Sequence, residues 1–161
     1  MYKNILIPTD GSEFCGVAAA EGIQLAKTLG ATVTAVHVTL KLSVFEILDV
    51  YKPEILWSSH DAEKTQNAMA HVEEGTKVLA DKFLSQVEKM ANAAGVPCEK
   101  VYMPRESPAE GIIKVADRHG CDLIFMASHG RTGLAGELLG SVTKKVLAYS
   151  KIPVLVRTSR K

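Results

Sequence analysis

The sequence lacks several patterns by which common classes of enzyme and cofactor-binding protein are recognised. Its 161 residues contain no GxGxxG after the first apolar segment and no GxxxxGK[ST] anywhere. Neither a dinucleotide-binding domain nor a P-loop ATPase is therefore indicated. The five histidines show no HExxH and no His–carboxylate spacing of the kind that metal centres use. No residue is therefore assigned as a metal ligand.

Cysteine is scarce, and long apolar runs are absent. The three cysteines, Cys15, Cys98 and Cys121, are far apart and show neither CxxC nor disulfide-framework spacing. We therefore expect reduced thiols, with Cys15 and Cys121 in the core. No apolar run approaches the roughly 18 residues of a membrane-spanning helix, and the chain starts with a strand-like segment rather than a signal peptide. These features predict a cytoplasmic protein with no membrane partner.

The chain also has little net charge, which is +1 at pH 7. This value argues against broad electrostatic attraction to nucleic acid, so no nucleic-acid partner is expected. No acidic residue follows Ser141, although six basic residues do. Two interpretations stay open: a solvated basic surface near the C-terminus, or a contribution of Lys144 or Lys145 to the potential around a bound phosphate.

Strand-like and helix-like segments alternate along the chain, and 47% of the residues are hydrophobic, enough for a substantial core. The alternation predicts an α/β fold: one domain over residues 1–161, built on a single open, mostly parallel five-stranded sheet with helices on both faces. The predicted strands are residues 2–8, 31–38, 98–103, 122–127 and 152–157, and the predicted helices are residues 12–29, 61–94, 108–119 and 142–149. Residues 40–57 interrupt this regularity with an apolar segment that predicts a short helix across the domain or a partner contact.

Polar, turn-forming residues follow the first predicted strand in the sequence Pro8-Thr9-Asp10-Gly11-Ser12. Ligands of open parallel sheets bind beyond the carboxyl ends of strands, so this turn is a candidate site. Asp10 and Glu13 have the spacing of a capping box, which makes Asp10 a candidate helix N-cap. It is equally suited to ribose hydroxyls or to a metal-bound water.

A glycine-rich loop follows the strand at residues 122–127 and contains Gly130, Gly133, Gly136 and Gly140. Ser141 then stands where a new helix begins. Glycines let backbone N–H groups approach an anion, and the helix dipole adds partial positive charge there. The loop therefore predicts phosphate binding, and nucleotide binding is the first functional hypothesis.

Two apparent catalytic patterns carry little weight. Ser141 and Lys144 match SxxK, but the companion motifs of acylating enzymes are missing. Ser128, His129 and Asp10 include the residue types of a catalytic triad, yet no nucleophile elbow is present. No catalytic residue is assigned.

Four segments together resemble the universal stress protein family over essentially the whole chain. They are PTDGS after the first strand, VHV in the second, ASHGRTGLAGELLGSVTKKVL after the fourth, and IPVLV at the last strand. The most specific element is the family's ATP-binding pattern G-2X-G-9X-G-[S/T]. Gly130, Gly140 and Ser141 match it, while Ala127 replaces the first glycine.

The resemblance implies an adenine-nucleotide α-hydrolase-like fold with strand order 3-2-1-4-5, and ATP bound as its Mg²⁺ complex. It places the adenine near Pro8, Thr9 and the backbone of Val38, with Asp10 beside the ribose. The glycine loop and the helix start would hold the phosphates. The cofactor-binding residues so implied are Pro8, Thr9, Asp10, Val38, Ala127, His129, Gly130, Gly140, Ser141, Val142 and Thr143.

The resemblance also implies a homodimer formed by pairing of the final strands, through Val154, Leu155 and Val156. Such pairing would cover an edge that is otherwise an aggregation liability. Two positions depart from the family pattern. Ala127 would cost on the order of 1 kcal/mol if its backbone needed a positive φ. The family's G-x-P turn before the third helix reads Pro104-Arg105-Glu106-Ser107-Pro108 here.

These observations favour an ATP-binding regulatory module of the stress response, with or without slow hydrolysis or autophosphorylation. Two alternatives stay open. One is a universal stress protein that binds no nucleotide and acts through protein contacts. The other is an ATP-cleaving enzyme, for which no general base or arginine clamp is assignable from the spacing.

Overall fold

A five-stranded parallel sheet forms the centre of the computed structural model, which describes residues 1–40, 62–105, 107–130 and 139–158. The strand order is β3-β2-β1-β4-β5, and each neighbouring pair is parallel. The implied fold class and strand order are therefore confirmed. The strands are β1 (Asn4–Pro8), β2 (Thr32–Leu40), β3 (Cys98–Arg105), β4 (Leu123–Ala127) and β5 (Val154–Arg157).

Four helices connect these strands within the described residues: α1 (Glu13–Leu29), α2 (Ala62–Ala94), α3 (Pro108–Arg118) and α4 (Ser141–Tyr149). The helix and strand bounds differ from the predicted ones by at most two residues. The apolar segment predicted to interrupt the pattern lies, after its first residue, outside the described residues, as do Glu106 and most of the glycine loop, residues 131–138.

Alternate residues of each central strand belong to two different cores. Ile5 and Ile7 of β1 are buried with residues of α1 and α2, whereas Leu6 is buried with residues of α3 and α4. Phe125 and Met126 divide in the same way in β4. Because side chains alternate across a strand, a parallel sheet covered by helices on both sides needs apolar residues at every position. The continuous apolar runs in the sequence have this cause.

The start of α1 differs from its prediction. Its N-cap is Ser12, whose side chain accepts a hydrogen bond from the Cys15 backbone N–H at 3.3 Å. Asp10 instead accepts the Ser12 N–H through Oδ1 at 2.9 Å, two residues before the helix begins. The capping-box interpretation of Asp10 was therefore wrong. The turn after β1 continues through Gly11, so Ser12 and not Asp10 is the residue directly before the helix. Asp10 orders this turn instead.

Strand β3 continues through Pro104, where the sequence suggested a turn. Pro104 pairs in register with Thr39 of β2. Proline lacks the N–H that an inner strand would use, but β3 is an edge strand with a neighbour on one side only within the described sheet. The predicted helix start at Pro108 is confirmed, with Ser107 as its N-cap.

Cys15 and Cys121 are buried, as predicted for core thiols, and none of the three cysteines forms a disulfide. Within residues 1–40, 62–105, 107–130 and 139–158, no helix has the length and apolar character needed to cross a membrane.

Helix α1 approaches the sheet closely at Gly22. A Cβ built on this glycine would lie 3.0 Å from Ile7 Cδ1 and 3.1 Å from Phe125 Cγ. Gly16, six residues earlier on the same helix, has no such neighbour within 4 Å. The two glycines therefore form a matched pair: one is needed for close packing of helix on sheet, and the other is not.

We predict that Gly22→Val lowers the free energy of unfolding by about 2 kcal/mol or more, because overpacking forces shifts in Ile7 or Phe125. Gly16→Val is the control and should change it by no more than about 0.5 kcal/mol, since valine and glycine differ little in helix propensity. Urea unfolding followed by circular dichroism measures both. Equal effects of the two variants would contradict the packing role of Gly22.

Candidate functional site

A cavity of about 440 Å³ opens at the carboxyl ends of β1 and β4. Strand β1 lies between β2 and β4, so the chain leaves β1 towards one side of the sheet and later returns to its other side at β4. This change of direction opens a crevice in which open α/β sheets bind ligands. All eleven residues that the sequence assigned to a site line the cavity: Pro8, Thr9, Asp10, Val38, Ala127, His129, Gly130, Gly140, Ser141, Val142 and Thr143. Their role in binding stays a prediction.

The turn after β1 is held by hydrogen bonds to the neighbouring strand. The Thr9 N–H donates to the Val36 carbonyl at 2.9 Å, and the Thr9 carbonyl lies 2.7 Å from His37 Nδ1. Thr9 Oγ1 accepts the Gly11 N–H at 3.2 Å. Together with the Asp10–Ser12 bond, these contacts fix the backbone of the turn at the rim of the cavity.

Helix α2 packs against the same turn through Phe83. Gly11 has a left-handed φ of 78°, and the ring of Phe83 occupies the space that a Cβ on Gly11 would need. Phe83 also makes an edge-on contact with His37, with 5.4 Å between ring centroids. A glycine is therefore required at position 11 both for the backbone conformation and for the approach of α2.

Two hydrogen-bond donors at the start of α4 hold it against the end of β4, and both meet the carbonyl of Ser128. The Gly140 N–H donates to the Ser128 carbonyl at 2.7 Å. The buried Thr143 hydroxyl lies 3.1 Å from both the Ala127 and the Ser128 carbonyl. These bonds place the start of α4 directly beside the end of β4. The two ends of the glycine loop are therefore fixed by residues close to them.

The N-terminus of α4 faces the cavity without a side-chain cap. Gly140 is the N-cap residue, with φ −68° and ψ 163°, and no acidic residue lies in the first turn. The helix begins at Ser141, one residue before the predicted start, so Ser141 is the first helical residue and does not cap the helix. The first N–H groups of a helix have no partner within it, and they carry the positive end of the helix dipole.

Gly130 and Gly140 are required for close packing between neighbouring segments and not for a left-handed backbone conformation. Neither belongs to the glycines with positive φ in the described residues. A Cβ on Gly130 would collide with Asp10 Oδ2, and one on Gly140 would lie 3.2 Å from the Ser128 carbonyl oxygen. The two matched positions of the family pattern therefore allow close approach between the first turn, the end of β4 and the start of α4.

Ala127 fits its position without strain. It is the last residue of β4, extended and paired in register with Arg157. The residue is 5% exposed, and its side chain belongs to the core under α1 and α2. The cavity's apolar residues Val36 and Met126 belong to the opposite core. The departure from glycine therefore meets no left-handed backbone, and its methyl group packs in the interior.

The cavity contains five further residues that sequence reasoning did not assign: Cys15, Val36, Pro108, Ile112 and Met126. Val36 and Met126 could have been found from alternation, because they lie on the same face of the sheet as the predicted Val38. Pro108 and Ile112 come from α3, and no local pattern in the sequence points to them. They add apolar surface from α3 to the cavity wall.

The described part of the cavity wall lacks strongly basic side chains. None of the described residues that line it is a lysine or arginine. Lys144 and Lys145 lie on exposed positions of α4, which favours a solvated basic surface over a contribution to the cavity. Among the described residues, no three His, Cys, Asp or Glu side chains cluster as a metal site.

Cys15 lies in the wall as a neutral thiol. Burial is the main cause that raises the pKa of this thiol from 9.0 to about 11, and the nearby Asp10 carboxylate acts in the same direction. Its Sγ lies 3.9 Å from the His129 carbonyl oxygen. The thiol is therefore protonated at neutral pH and is not a nucleophile.

The family model, the curated relatives and the solved structures that match this chain all point to one protein family. The model of the Universal stress protein family matches residues 1–157. Universal stress protein MJ0531 of Methanocaldococcus jannaschii is 34% identical over 156 residues, which cover 97% of this chain and 82% of that protein. The solved structure of MJ0577, from the same organism, is 32% identical with a TM-score of 0.70, covering 100% of this chain and 98% of that one.

A universal stress protein solved in complex with cAMP has a TM-score of 0.66 at 21% identity, covering 99% of this chain and 98% of that one. At this identity the likeness concerns the fold alone.

We predict that Cys15 reacts with iodoacetamide at pH 8 about a hundredfold more slowly in the native protein than in urea, because a pKa raised by two units leaves that much less thiolate. The pH dependence has a defined sign. Between pH 8 and 10 the native rate should keep rising about tenfold per pH unit, whereas the rate in urea levels off near pH 9. Peptide mass spectrometry after timed alkylation measures the rates. Similar native and unfolded rates would contradict the protonated, buried thiol.

Proposed function

Since this chain belongs to the universal stress protein family, we propose that its cavity binds an adenine nucleotide, ATP with Mg²⁺, and that the protein is a cytoplasmic ATP-binding regulatory module of the stress response. The observation that carries the proposal is the uncapped N-terminus of α4, which lies in the wall of a cavity that Gly130, Gly140 and several apolar side chains also line. An anion and an attached flat apolar group would be complementary to these two parts of the wall.

The phosphate end of the proposed site consists of backbone groups. The N–H groups at the start of α4, from Ser141 to Thr143, have no partner within the helix and attract negative charge. Gly130 and Gly140 allow the turn after β1 and the end of β4 to pack closely against each other and against the start of α4, which keeps these N–H groups beside the cavity. No acidic side chain in the first turn of α4 opposes the anion.

The adenine end consists of the apolar wall and the backbone at the strand ends. Val36, Val38, Ile112 and Met126 line the cavity there together with Pro8. A planar base would bury apolar surface against these side chains and find hydrogen-bonding partners in the backbone at the strand ends. The solved complex of a protein of this fold with cAMP supports the proposal that such a cavity accommodates an adenine nucleotide.

Asp10 provides the one carboxylate in the cavity wall among the described residues. It would accept hydrogen bonds from ribose hydroxyls or contact a Mg²⁺ ion that the nucleotide brings with it. Magnesium in nucleotide sites is held largely by phosphate oxygens and water, with one or two protein carboxylates. The absence of a larger ligand cluster in the described residues is compatible with an ion bound through the nucleotide.

The described wall favours binding over rapid turnover. It presents no lysine or arginine to neutralise charge that develops during phosphoryl transfer. Bound ATP would therefore persist, and its presence or absence would define two states of the protein. Slow hydrolysis or autophosphorylation is compatible with this proposal, whereas steady multiple turnover is not.

Titration of Mg·ATP into the purified protein, after denaturing extraction and ion-exchange analysis of any carried nucleotide, tests the proposal. We predict saturable binding, and we predict that Gly140→Val abolishes it, because the new side chain would crowd the Ser128 carbonyl oxygen and His129 and so shift the first N–H groups of α4 away from the cavity. The fold should be retained, since the position is at a loop end and its φ and ψ are accessible to valine.

Gly75→Val is the matched control, because Gly75 is exposed on α2 and a Cβ there meets nothing within 4 Å. It should leave ATP affinity unchanged. If neither extraction nor titration detects nucleotide in the wild-type protein, the protein acts through other contacts and the proposed function is wrong. Unchanged affinity in Gly140→Val would place the phosphates elsewhere.

The proposal includes a homodimer through β5. This strand forms one edge of the described sheet, and Leu155 at its centre is 41% exposed. Val154 and Val156 flank it and are partly buried against α3 and α4. Pairing with the β5 of a second copy would satisfy the free edge and cover Leu155.

We predict that Leu155→Lys shifts the protein towards monomer, because it places a charge in the apolar contact between the two edge strands. Val78→Lys is the matched control: Val78 is 64% exposed on α2, outside the proposed interface, and acquires the same charge. Sedimentation velocity over a concentration series measures the association. A wild-type monomer, or equal effects of both substitutions, would count against the β5 interface.

A further inference from the structure

Val38 lies in a part of β2 that is paired with a neighbouring strand on one side only within the described sheet. The last residue pair between β1 and β2 is Pro8–Val36, two positions before Val38. On the other side, Val38 pairs in register with Met103 of β3. Its side chain lines the cavity. Because β1 ends before this position, the further support of Val38 comes from packing against the face of the sheet.

Helix α3 packs on Val38 through a glycine. A Cβ built on Gly111 would lie 2.7 Å from Val38 Cγ1, 2.9 Å from Val38 Cγ2 and 3.4 Å from Met103 Cγ. Both methyl groups of Val38 thus lie closer to this place than carbon atoms approach each other without a shift. A β-branched side chain has few rotamers by which to relieve such a contact. The helix lies at this distance from β2 because residue 111 has no Cβ.

Gly111 lies in the part of α3 that contributes to the cavity wall. The helix begins at Pro108 with Ser107 as its N-cap, and the Gly111 N–H donates to the Ser107 carbonyl at 3.0 Å. Pro108 and Ile112, which precede and follow Gly111 in the chain, both line the cavity. A displacement of the helix at Gly111 would therefore move both of these side chains.

The backbone conformation does not explain a glycine at this position. Gly111 is a helical residue and does not belong to the glycines with positive φ in the described residues. Glycine is also among the least favourable residues inside a helix. Gly111 is buried, and the close approach of α3 to β2 gives the physical reason for it.

We propose that Gly111 is a positioning residue for the base of the bound nucleotide. It lets α3 pack directly on Val38, and this contact sets the shape of the apolar wall that Val38, Pro108 and Ile112 provide. The inference rests on the proposed function and deepens it. Because Gly111 acts on the base, ligands that share the adenine ring should respond alike to its replacement, whatever their number of phosphates.

A side chain at position 111 would change this wall in one of two ways. The methyl groups of Val38 would move, or α3 would move away from β2 and take Pro108 and Ile112 with it. A flat base gains affinity from close contact with apolar side chains, and dispersion attraction falls steeply when a gap opens between them. Either change should therefore weaken the binding of the base.

Four variants test this role. Gly111→Ala introduces the Cβ, and Val38→Ala removes the two methyl groups that it would meet. The double variant Gly111→Ala/Val38→Ala restores the space, so it should fold even if Gly111→Ala does not. Gly22→Ala is the matched control: a Cβ there crowds α1 against Ile7 and Phe125, and neither residue belongs to the described cavity wall. Each protein is titrated with adenosine, AMP and ATP, and its thermal unfolding is recorded to confirm that it is folded.

We predict that Gly111→Ala weakens the binding of adenosine, AMP and ATP by the same factor, about tenfold, which is the effect of losing roughly 50 Å² of buried apolar contact. Val38→Ala should also weaken all three, because it removes apolar surface from the wall. Gly22→Ala should change the three affinities by less than about twofold, although it crowds a helix against the sheet in the same way. Unchanged adenosine affinity in a folded Gly111→Ala, or a larger loss for ATP than for adenosine, would overturn the inference.

The double variant shows whether Gly111 acts through Val38. In the Val38→Ala background, Gly111→Ala should change each affinity by less than about twofold, because the effects of two residues in contact are not additive. A further loss of about tenfold in that background would overturn the inference. If none of the three ligands binds to wild-type protein, the proposed function fails and the inference fails with it. Unchanged binding in Gly111→Ala is a distinct outcome, because it leaves the proposed function intact.

Discussion

The peptide between Ser128 and His129 is the point on which the site depends. Its carbonyl accepts the Gly140 N–H at 2.7 Å and lies 3.1 Å from the Thr143 hydroxyl. The same two residues provide the buried hydroxyl and the ring that meets it. One short segment thereby ends β4, anchors the start of α4 and orients the imidazole. These bonds fix the uncapped helix N-terminus against the end of β4.

The first turn of the chain completes the site from the opposite side, and its shape is set by residues far away in sequence. Phe83 of α2 fills the space beside Gly11, and His37 of β2 contacts the Thr9 carbonyl. Asp10 is thereby held against Gly130, where no side chain separates the two loops. These contacts hold the backbone of the turn in place at the rim of the cavity.

Much of the fold followed from the sequence because its signals are local. Apolar runs between glycines and prolines gave five strands and four helices, and Gly30, Gly95 and Gly120 stop the first three of these helices with left-handed backbones. The cap of α1 was predicted wrongly because Asp10 and Ser12 both have side chains that bond to nearby N–H groups. Only the path of the turn decides between them. The sequence assigned Pro104 to a turn. A proline fits within a strand at the edge of a sheet, and only the structure shows that β3 is such a strand.

The sequence by itself determined the family, the order of the strands through that family, and the glycines that leave room at positions 130 and 140. Spacing and alternation are enough for these, because they follow from backbone geometry repeated along the chain. Only the tertiary structure decided that Ala127 points into the core, that α3 provides one wall of the cavity, and that His129 Nε2 is buried with no hydrogen-bond partner among the described residues. These three properties arise from contacts between segments that are distant in sequence, and no local pattern encodes the environment that such contacts create.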